Sequence, residues 1–156
     1  MKSKVYTENQ NFWNWWLIAL FVIIIGIQLK ELSANNWTVT ISDFIGFGIL
    51  FAVLVLFLLM RLHTTVDFQG ISIRFLPFVR NKTWLWEQIE DLYIKEYSFL
   101  DYGGWGYRVS RNGIAYNTKG KFGMQLILKN GSRIMIGTQH PEELQQIIDD
   151  YRNSNI

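Results

Sequence analysis

The stretch FWNWWLIALFVIIIGIQL, residues 12–29, contains no charged side chain, and neither does FIGFGILFAVLVLFLLM, residues 44–60. Each run is close to the roughly 20 residues that a helix needs to cross a hydrocarbon core of about 30 Å. Apolar residues occupy every face of both runs, which is rare in a helix buried inside a soluble protein. The sequence therefore predicts two membrane-spanning helices, at about 12–29 and 44–61, in an N-terminal region that covers residues 1–62.

A secretory signal is the main alternative for the first run. Its apolar part is longer than the usual apolar region of a signal peptide, no A-x-A-like cleavage site follows, and the second run comes soon after. A transmembrane hairpin is the better interpretation. Small residues repeat along one face of each run, Ala19 with Gly26 and Gly48 with Ala52, and would let the helices approach closely.

Basic residues are concentrated outside the loop that joins the two runs. They are Lys2 and Lys4 before the first run, and Arg61, Arg74, Arg80 and Lys82 after the second. By the positive-inside rule, both termini are expected in the cytoplasm, which makes the chain a multi-pass protein of the cytoplasmic membrane.

Residues 63–156 change to a period of two, which is typical of half-buried strands, as in Ile71-Ser72-Ile73-Arg74-Phe75. Asn112-Gly113 and Asn130-Gly131 are dipeptides suited to type I′ hairpin turns. Roughly seven or eight short antiparallel strands are expected, spaced as in a barrel or a sandwich. A C-terminal amphipathic helix at about 141–152 follows, because Leu144, Ile147, Ile148 and Tyr151 share one face behind Pro141. This helix is expected to pack across an open end of the sheet.

Three segments carry a family resemblance: GWGYR at 104–108, GIAYN at 113–117 and IGTQHPEEL at 136–144. The chain resembles a family of bacterial membrane proteins in which two transmembrane helices precede a pleckstrin-homology-like (PH-like) domain. The resemblance covers about the last ninety residues. It implies an α+β, mainly β PH-like fold for residues 63–156, with about seven antiparallel strands in an open barrel and one C-terminal amphipathic helix, and it implies no catalytic residues.

The segment before Arg108 is the candidate recognition site for a protein partner. Tyr102, Trp105 and Tyr107 supply flat apolar surface, and Arg108 supplies a guanidinium fork for a carboxylate or phosphate. Glycines at 103, 104 and 106 permit positive φ and close backbone approach. The alternative is structural, because glycines also shape barrel corners and aromatic side chains can close the end of a barrel.

Three basic residues in loops, Arg111, Lys119 and Lys121, are candidates for contact with anionic lipid head groups. A domain tethered to the inner leaflet lies within a Debye length of those groups. Lipid sites usually gather 4 to 8 basic residues, so an ordinary solvated loop is the competing interpretation.

Composition argues against catalysis. The chain has no cysteine, which excludes disulfides, thiolate nucleophiles and cysteine metal sites, and its two histidines lie outside any HExxH pattern. No carboxylate is paired with a nucleophile in a known arrangement, so no catalytic residue, metal or cofactor is expected. A membrane enzyme acting on lipid or envelope intermediates remains a distant alternative. The net charge of +2 gives no support for nucleic acid, and the expected partners are the lipid bilayer, a protein, or a second copy of the chain.

Overall fold

The structure is a computed structural model that describes residues 5–98, 101, 104 and 106–154. Its elements in chain order are β1 (Tyr6–Asn11), α1 (Trp15–Ala34), α2 (Ile41–Leu59), β2 (Arg61–Val66), β3 (Gly70–Leu76), β4 (Val79–Leu85), a 3-10 turn (Trp86–Gln88), β5 (Ile89–Glu96), β6 (Gly106–Ser110), β7 (Gly113–Asn117), β8 (Phe122–Leu128), β9 (Arg133–Thr138) and α3 (Pro141–Ser154). Residues Phe12–Met60 form one compact unit, and the chain before and after them forms the other.

Helices α1 and α2 are 20 and 19 residues long. Both are long and apolar enough to cross a membrane, and their side chains are largely exposed. Helix α1 continues to Ala34, five residues beyond the predicted end at 29, and α2 starts at Ile41 instead of 44. The earlier start of α2 follows from Thr40, whose backbone N–H donates to Asp43 Oδ2 at 2.8 Å and satisfies an otherwise free donor at the helix start.

The two helices meet at Gln28 and Gly46. A Cβ atom added to Gly46 would lie 3.1 Å from Gln28 Nε2, whereas a Cβ atom on Gly26 or Gly48 would have nothing within 4 Å. The expectation that the small-residue pairs bring the helices together is therefore wrong. Gly26 and Gly48 lie on exposed faces. The close approach occurs at Gly46, where the absence of a side chain leaves room for the Gln28 amide.

Strand β1 is a feature that the sequence pattern does not indicate. It is the first strand of a four-stranded antiparallel sheet with the order β1-β2-β3-β4. Its register with β2 runs from Tyr6 opposite Val66 to Asn11 opposite Arg61. The helical segment is thus inserted in the chain between two neighbouring strands of one sheet.

The second sheet has five strands in the order β5-β8-β9-β7-β6. Strands β7 and β9 pair in parallel, because β8 turns back into β9, which then lies between β8 and β7. The described residues therefore form nine strands in two sheets with no closed barrel, instead of about seven strands that are all antiparallel.

Both predicted Asn-Gly turns are present, but their type differs from the expectation. Gly113 and Gly131 have φ values of 114° and 81°, while neither Asn112 nor Asn130 has a positive φ. A type I′ turn needs positive φ at both central residues. The glycine alone takes the left-handed conformation in each turn, which spares the asparagine that strain.

The core lies between the inner faces of the two sheets. Phe75 on β3 and Trp84 on β4 contact the ring of Tyr116 on β7, with centroid distances of 6.4 and 6.2 Å. Helix α3 contacts β5 and β8, and its apolar residues Leu144 and Ile148 are buried. The predicted C-terminal amphipathic helix is confirmed. Each fully buried aliphatic side chain contributes roughly 1.5–3 kcal/mol to folding.

Candidate functional site

The predicted recognition residues fall on or just before β6. Tyr102 and Trp105 lie outside the described residues. Tyr107 and Arg108 are consecutive residues of β6, and both are exposed. Successive side chains of a strand point to opposite faces, so Tyr107 and Arg108 do not form one continuous rim.

The backbone conformation explains why glycines occur at the start of β6. Gly104 and Gly106 are buried and have φ values of 125° and 106°, which a residue with a side chain adopts only with strain. The backbone N–H of Gly106 also donates to Asn117 Oδ1 at 2.8 Å. These two positions therefore need glycine to bring the chain into β6, whatever the neighbouring side chains bind.

Strand β6 is the last strand in the second sheet, as β4 is in the first. Tyr107 is opposite Tyr116 in the register, and their ring centroids are 5.3 Å apart. Tyr116 in turn contacts Trp84 of β4. Tyr116 thus contacts one aromatic side chain from each of the two terminal strands, β4 and β6. We call this region the open side and define it by Lys82, Trp84, Tyr107, Val109 and Ile114.

Apolar surface is exposed along the open side. Val109 is 69% exposed and Tyr107 is 39% exposed, and both project to the same face of β6 because they are two residues apart. Val109 is opposite Ile114, which lines a cleft of about 590 Å³ together with Trp84, Leu128 and Ile134. A short extended segment with apolar side chains would cover this surface.

Charge at the open side is mixed but mainly basic. Lys82 and Lys129 are exposed where the cleft begins, and Glu87 lines it as well. The Lys82 ammonium lies 5.4 Å from the Trp84 ring centroid, a cation–π geometry. Burial, and then the neighbouring Tyr107, raises the pKa of Tyr116 to about 12, so its hydroxyl stays protonated near neutral pH. The arrangement suits binding of an apolar segment that carries an acidic residue.

The three basic residues predicted to contact lipid are not brought together. Arg111 is in the turn before β7, whereas Lys119 and Lys121 follow its other end. Because a strand rises about 3.3 Å per residue, β7 separates the two groups by roughly 15 Å. The Lys119 turn lies near the end of β1, since the Thr118 hydroxyl donates to Gln10 Oε1 at 2.7 Å.

A buried polar network joins β1 to the second sheet, and sequence reasoning missed it. The Glu8 carboxyl oxygens accept hydrogen bonds from the Tyr6 hydroxyl at 2.6 Å, the Thr138 hydroxyl at 2.7 Å, the Gln139 N–H at 2.8 Å and the Gln10 amide at 3.0 Å. Burial, and then the hydrogen bond to Glu8, raises the pKa of Tyr6. Thr138 and Gln139 fix β1 to the second sheet, and Tyr6 and Gln10, on β1 itself, complete the hydrogen bonding of Glu8, so this network is a structural feature.

Among the described residues, no group of three or more His, Cys, Asp or Glu is placed to hold a metal ion. The open side also contains residues that sequence reasoning did not select, namely Lys82, Trp84, Val109 and Ile114. Val109 could have been selected from the sequence. It lies two residues after Tyr107 and therefore on the same face of the strand, whereas Arg108 lies on the other face. The contact of Trp84 on β4 with Tyr116 on β7 is long-range, and no local pattern encodes it. No protein-family model matches the sequence, and no curated protein matches it.

Proposed function

We propose that this chain is a membrane-anchored binding module, in which α1 and α2 hold the strand domain at the cytoplasmic face of the membrane and the domain recognises a protein partner. The anchor is supported by two long apolar helices with exposed side chains. The cytoplasmic orientation is supported by the basic residues on both sides of the helical segment. Binding without catalysis fits a site rich in aromatic, apolar and basic groups.

The open side is the observation that carries the proposed recognition. Strand β6 ends its sheet, and a terminal strand offers backbone N–H and C=O groups to an added strand. An extended segment of the partner would pair with β6 and place apolar side chains against Tyr107 and Val109. An acidic residue of the segment would lie near Lys82. Arg108 lies on the face of β6 opposite Tyr107 and Val109, and it would contact a part of the partner outside the added strand.

The PH-like resemblance belongs to the same proposal. A strand-rich domain that ends in an amphipathic helix supports it. The division into four and five strands, and the parallel pairing of β7 with β9, depart from seven antiparallel strands.

Site-specific photo-crosslinking in the native membrane tests the proposed recognition. A photoreactive residue at Val109 is expected to form a discrete adduct with one protein, and the same residue at Gln146, exposed on α3, serves as the matched control. Tyr107→Ala is expected to weaken the Val109 adduct, because it removes half of the apolar contact. Equal adducts from both positions, or none from Val109, would contradict recognition at the open side.

A further inference from the structure

We infer that the protein has a second binding surface, for anionic lipid head groups, at the end of the first sheet that carries Arg61, Arg74, Phe78 and Arg80. We call this surface the basic end. The inference rests on the proposed membrane anchor, but it does not depend on recognition at the open side. It also differs from the loops with Arg111, Lys119 and Lys121, which belong to the second sheet.

The strand register brings these residues together. Arg61 is opposite Leu76, and Arg74 is opposite His63, so Arg61 and Arg74 are diagonal neighbours on adjacent strands. On the exposed face such diagonal pairs are roughly 7–8 Å apart. The turn between β3 and β4 follows Leu76 directly, and Arg74 Nε donates to the backbone oxygen of Arg80 at 3.1 Å. All three arginine residues therefore lie at one end of the sheet.

The exposed charged residues of the first sheet, within the described strands β1–β4, are all basic. Within the described strands β1–β4, Glu8 is the only carboxylate, and it is buried in the network that fixes β1. The exposed charged residues of these strands are Arg61, Arg74, Arg80 and Lys82. Asp67 lies in the turn between β2 and β3, at the opposite end of the sheet. The basic end is therefore complementary to a negatively charged surface.

An exposed aromatic residue lies among the arginines. Phe78 is 51% exposed at the tip of the β3–β4 turn, and its ring stacks on the buried ring of Phe75 with centroids 5.8 Å apart. An exposed large apolar side chain surrounded by basic residues is typical of protein surfaces that lie in a membrane interface. Phe78 would enter the head-group region while the arginines contact phosphates.

Chain length keeps the basic end close to the bilayer. Helix α2 ends at Leu59, and Arg61 is only two residues further along the chain. Two residues span at most about 8 Å, which is similar to the Debye length at physiological ionic strength. The anchored helix thus holds Arg61 within electrostatic reach of the head groups. Each arginine near an anionic leaflet is expected to shift the balance between docked and undocked domain about fivefold.

Spin labels on the full chain test the inference, because the absence of cysteine makes single-cysteine variants possible without further changes. Phe78→Cys reports on the basic end, and Asn81→Cys repeats the measurement with Phe78 intact. Phe68→Cys is the matched control, since Phe68 is 66% exposed in the turn at the opposite end of β3. Gly48→Cys in α2 marks membrane depth, because a side chain there meets nothing within 4 Å.

The labelled proteins are placed in lipid nanodiscs of phosphatidylcholine, with or without phosphatidylglycerol. With phosphatidylglycerol, the labels at 78 and 81 are expected to be more accessible to oxygen than to a water-soluble nickel chelate. The label at 68 is expected to be more accessible to the chelate than to oxygen. Arg74→Gln and Arg80→Gln should each lower the docked-to-undocked ratio about fivefold, whereas Arg133→Gln, at an exposed position of the second sheet, should not change it.

Three results would overturn the inference in distinguishable ways. If labels at 78 and 81 are as accessible to the chelate as the label at 68, while the label at 48 lies in lipid, the basic end does not bind head groups and the anchor stands. If the label at 48 is also accessible to the chelate, the membrane anchor itself is wrong. An unchanged ratio in the arginine variants would contradict recognition of anionic lipid by charge.

Discussion

Asn11, the last residue of β1, pairs with Arg61, the first residue of β2. Both helices lie between these two residues in the chain. Two strands can share a sheet only when they are on the same side of a bilayer, so the pairing requires an even number of crossings. In the proposed membrane anchor, α1 and α2 make two crossings, which is the even number that this pairing requires.

Cysteine labelling tests this topology. In sealed vesicles of one orientation, Thr7→Cys in β1 and Lys129→Cys after β8 are expected to react alike with a thiol reagent that cannot cross the membrane. Val39→Cys, exposed between the two helices, should show the opposite reactivity. Opposite reactivity of positions 7 and 129 would mean that β1 and the rest of the strand domain lie on different sides.

The helices and the C-terminal helix could be predicted because their signals are local. An uncharged apolar run needs no partner to be recognised, and the stripe of α3 repeats along its own sequence. Strand β1 has no such signal, because its inward residues Tyr6, Glu8 and Gln10 are polar or amphipathic. Their polar groups are satisfied by partners distant in sequence, because Thr138 and the Gln139 N–H donate to Glu8, and the Gln10 amide donates to the Gly137 carbonyl oxygen. A pattern of hydrophobicity cannot indicate a strand whose buried face is a hydrogen-bond network.

Glu8→Gln should destabilise the strand domain. The amide replaces one of two oxygens that accept hydrogen bonds with a donor, which leaves at least one buried donor without an acceptor. The expected loss in the free energy of unfolding is about 1–3 kcal/mol. Denaturant unfolding in mild detergent, followed by tryptophan fluorescence, measures it. Thr7→Ala, on the exposed face of the same strand, should stay within about 0.5 kcal/mol of the wild type, and an equal loss in both variants would contradict the role of the network.

Stability should fall in alkaline solution above the ordinary tyrosine pKa of 10.0. The folded protein holds the Tyr116 proton up to a pKa of about 12, whereas the unfolded chain releases it first. The contribution is therefore constant below about pH 10 and is lost as the pH rises toward 12, by at most about 1.4 kcal/mol per pH unit for this group. Tyr116→Phe should flatten this decline in unfolding experiments at a series of pH values. Tyr93→Phe is the control, and an unchanged slope in Tyr116→Phe would contradict the assignment.

The open side could be predicted only in part. The alternation around Asn112-Gly113 places Tyr107 and Val109 on one face of a strand, and this is readable from the sequence. The contact of Tyr116 with both Tyr107 and Trp84 is not, because Trp84 belongs to a distant strand of the other sheet. Arg111 and Lys119 are close in sequence, but they are separated in space because β7 lies between them.

Gly113→Ala should be much more disruptive than Gly131→Ala, although both glycines follow an asparagine in a turn. A Cβ atom at Gly113 would lie 2.1 Å from the Arg133 backbone oxygen, whereas at Gly131 it would meet nothing within 4 Å. Gly131→Ala should therefore cost only the left-handed conformation, about 1–2 kcal/mol. Gly113→Ala should cost about 3 kcal/mol or more, because β7 must move away from β9. Equal losses in unfolding free energy would show that β7 and β9 are not in close contact at this point.

In the helical hairpin, Gly46→Leu should disrupt packing and Gly48→Leu should not. Gly46 lies beside the Gln28 side chain, so a larger residue forces the helices apart, at a cost of about 1–3 kcal/mol. Gly48 lies on an exposed face, so Gly48→Leu should change the unfolding free energy in detergent by no more than about 0.5 kcal/mol. Size-exclusion chromatography of both variants completes the measurement. Disruption by Gly48→Leu together with a smaller particle would mean that this face packs against a second copy of the chain, and that the anchor assembles through the small residues that the hairpin leaves uncovered.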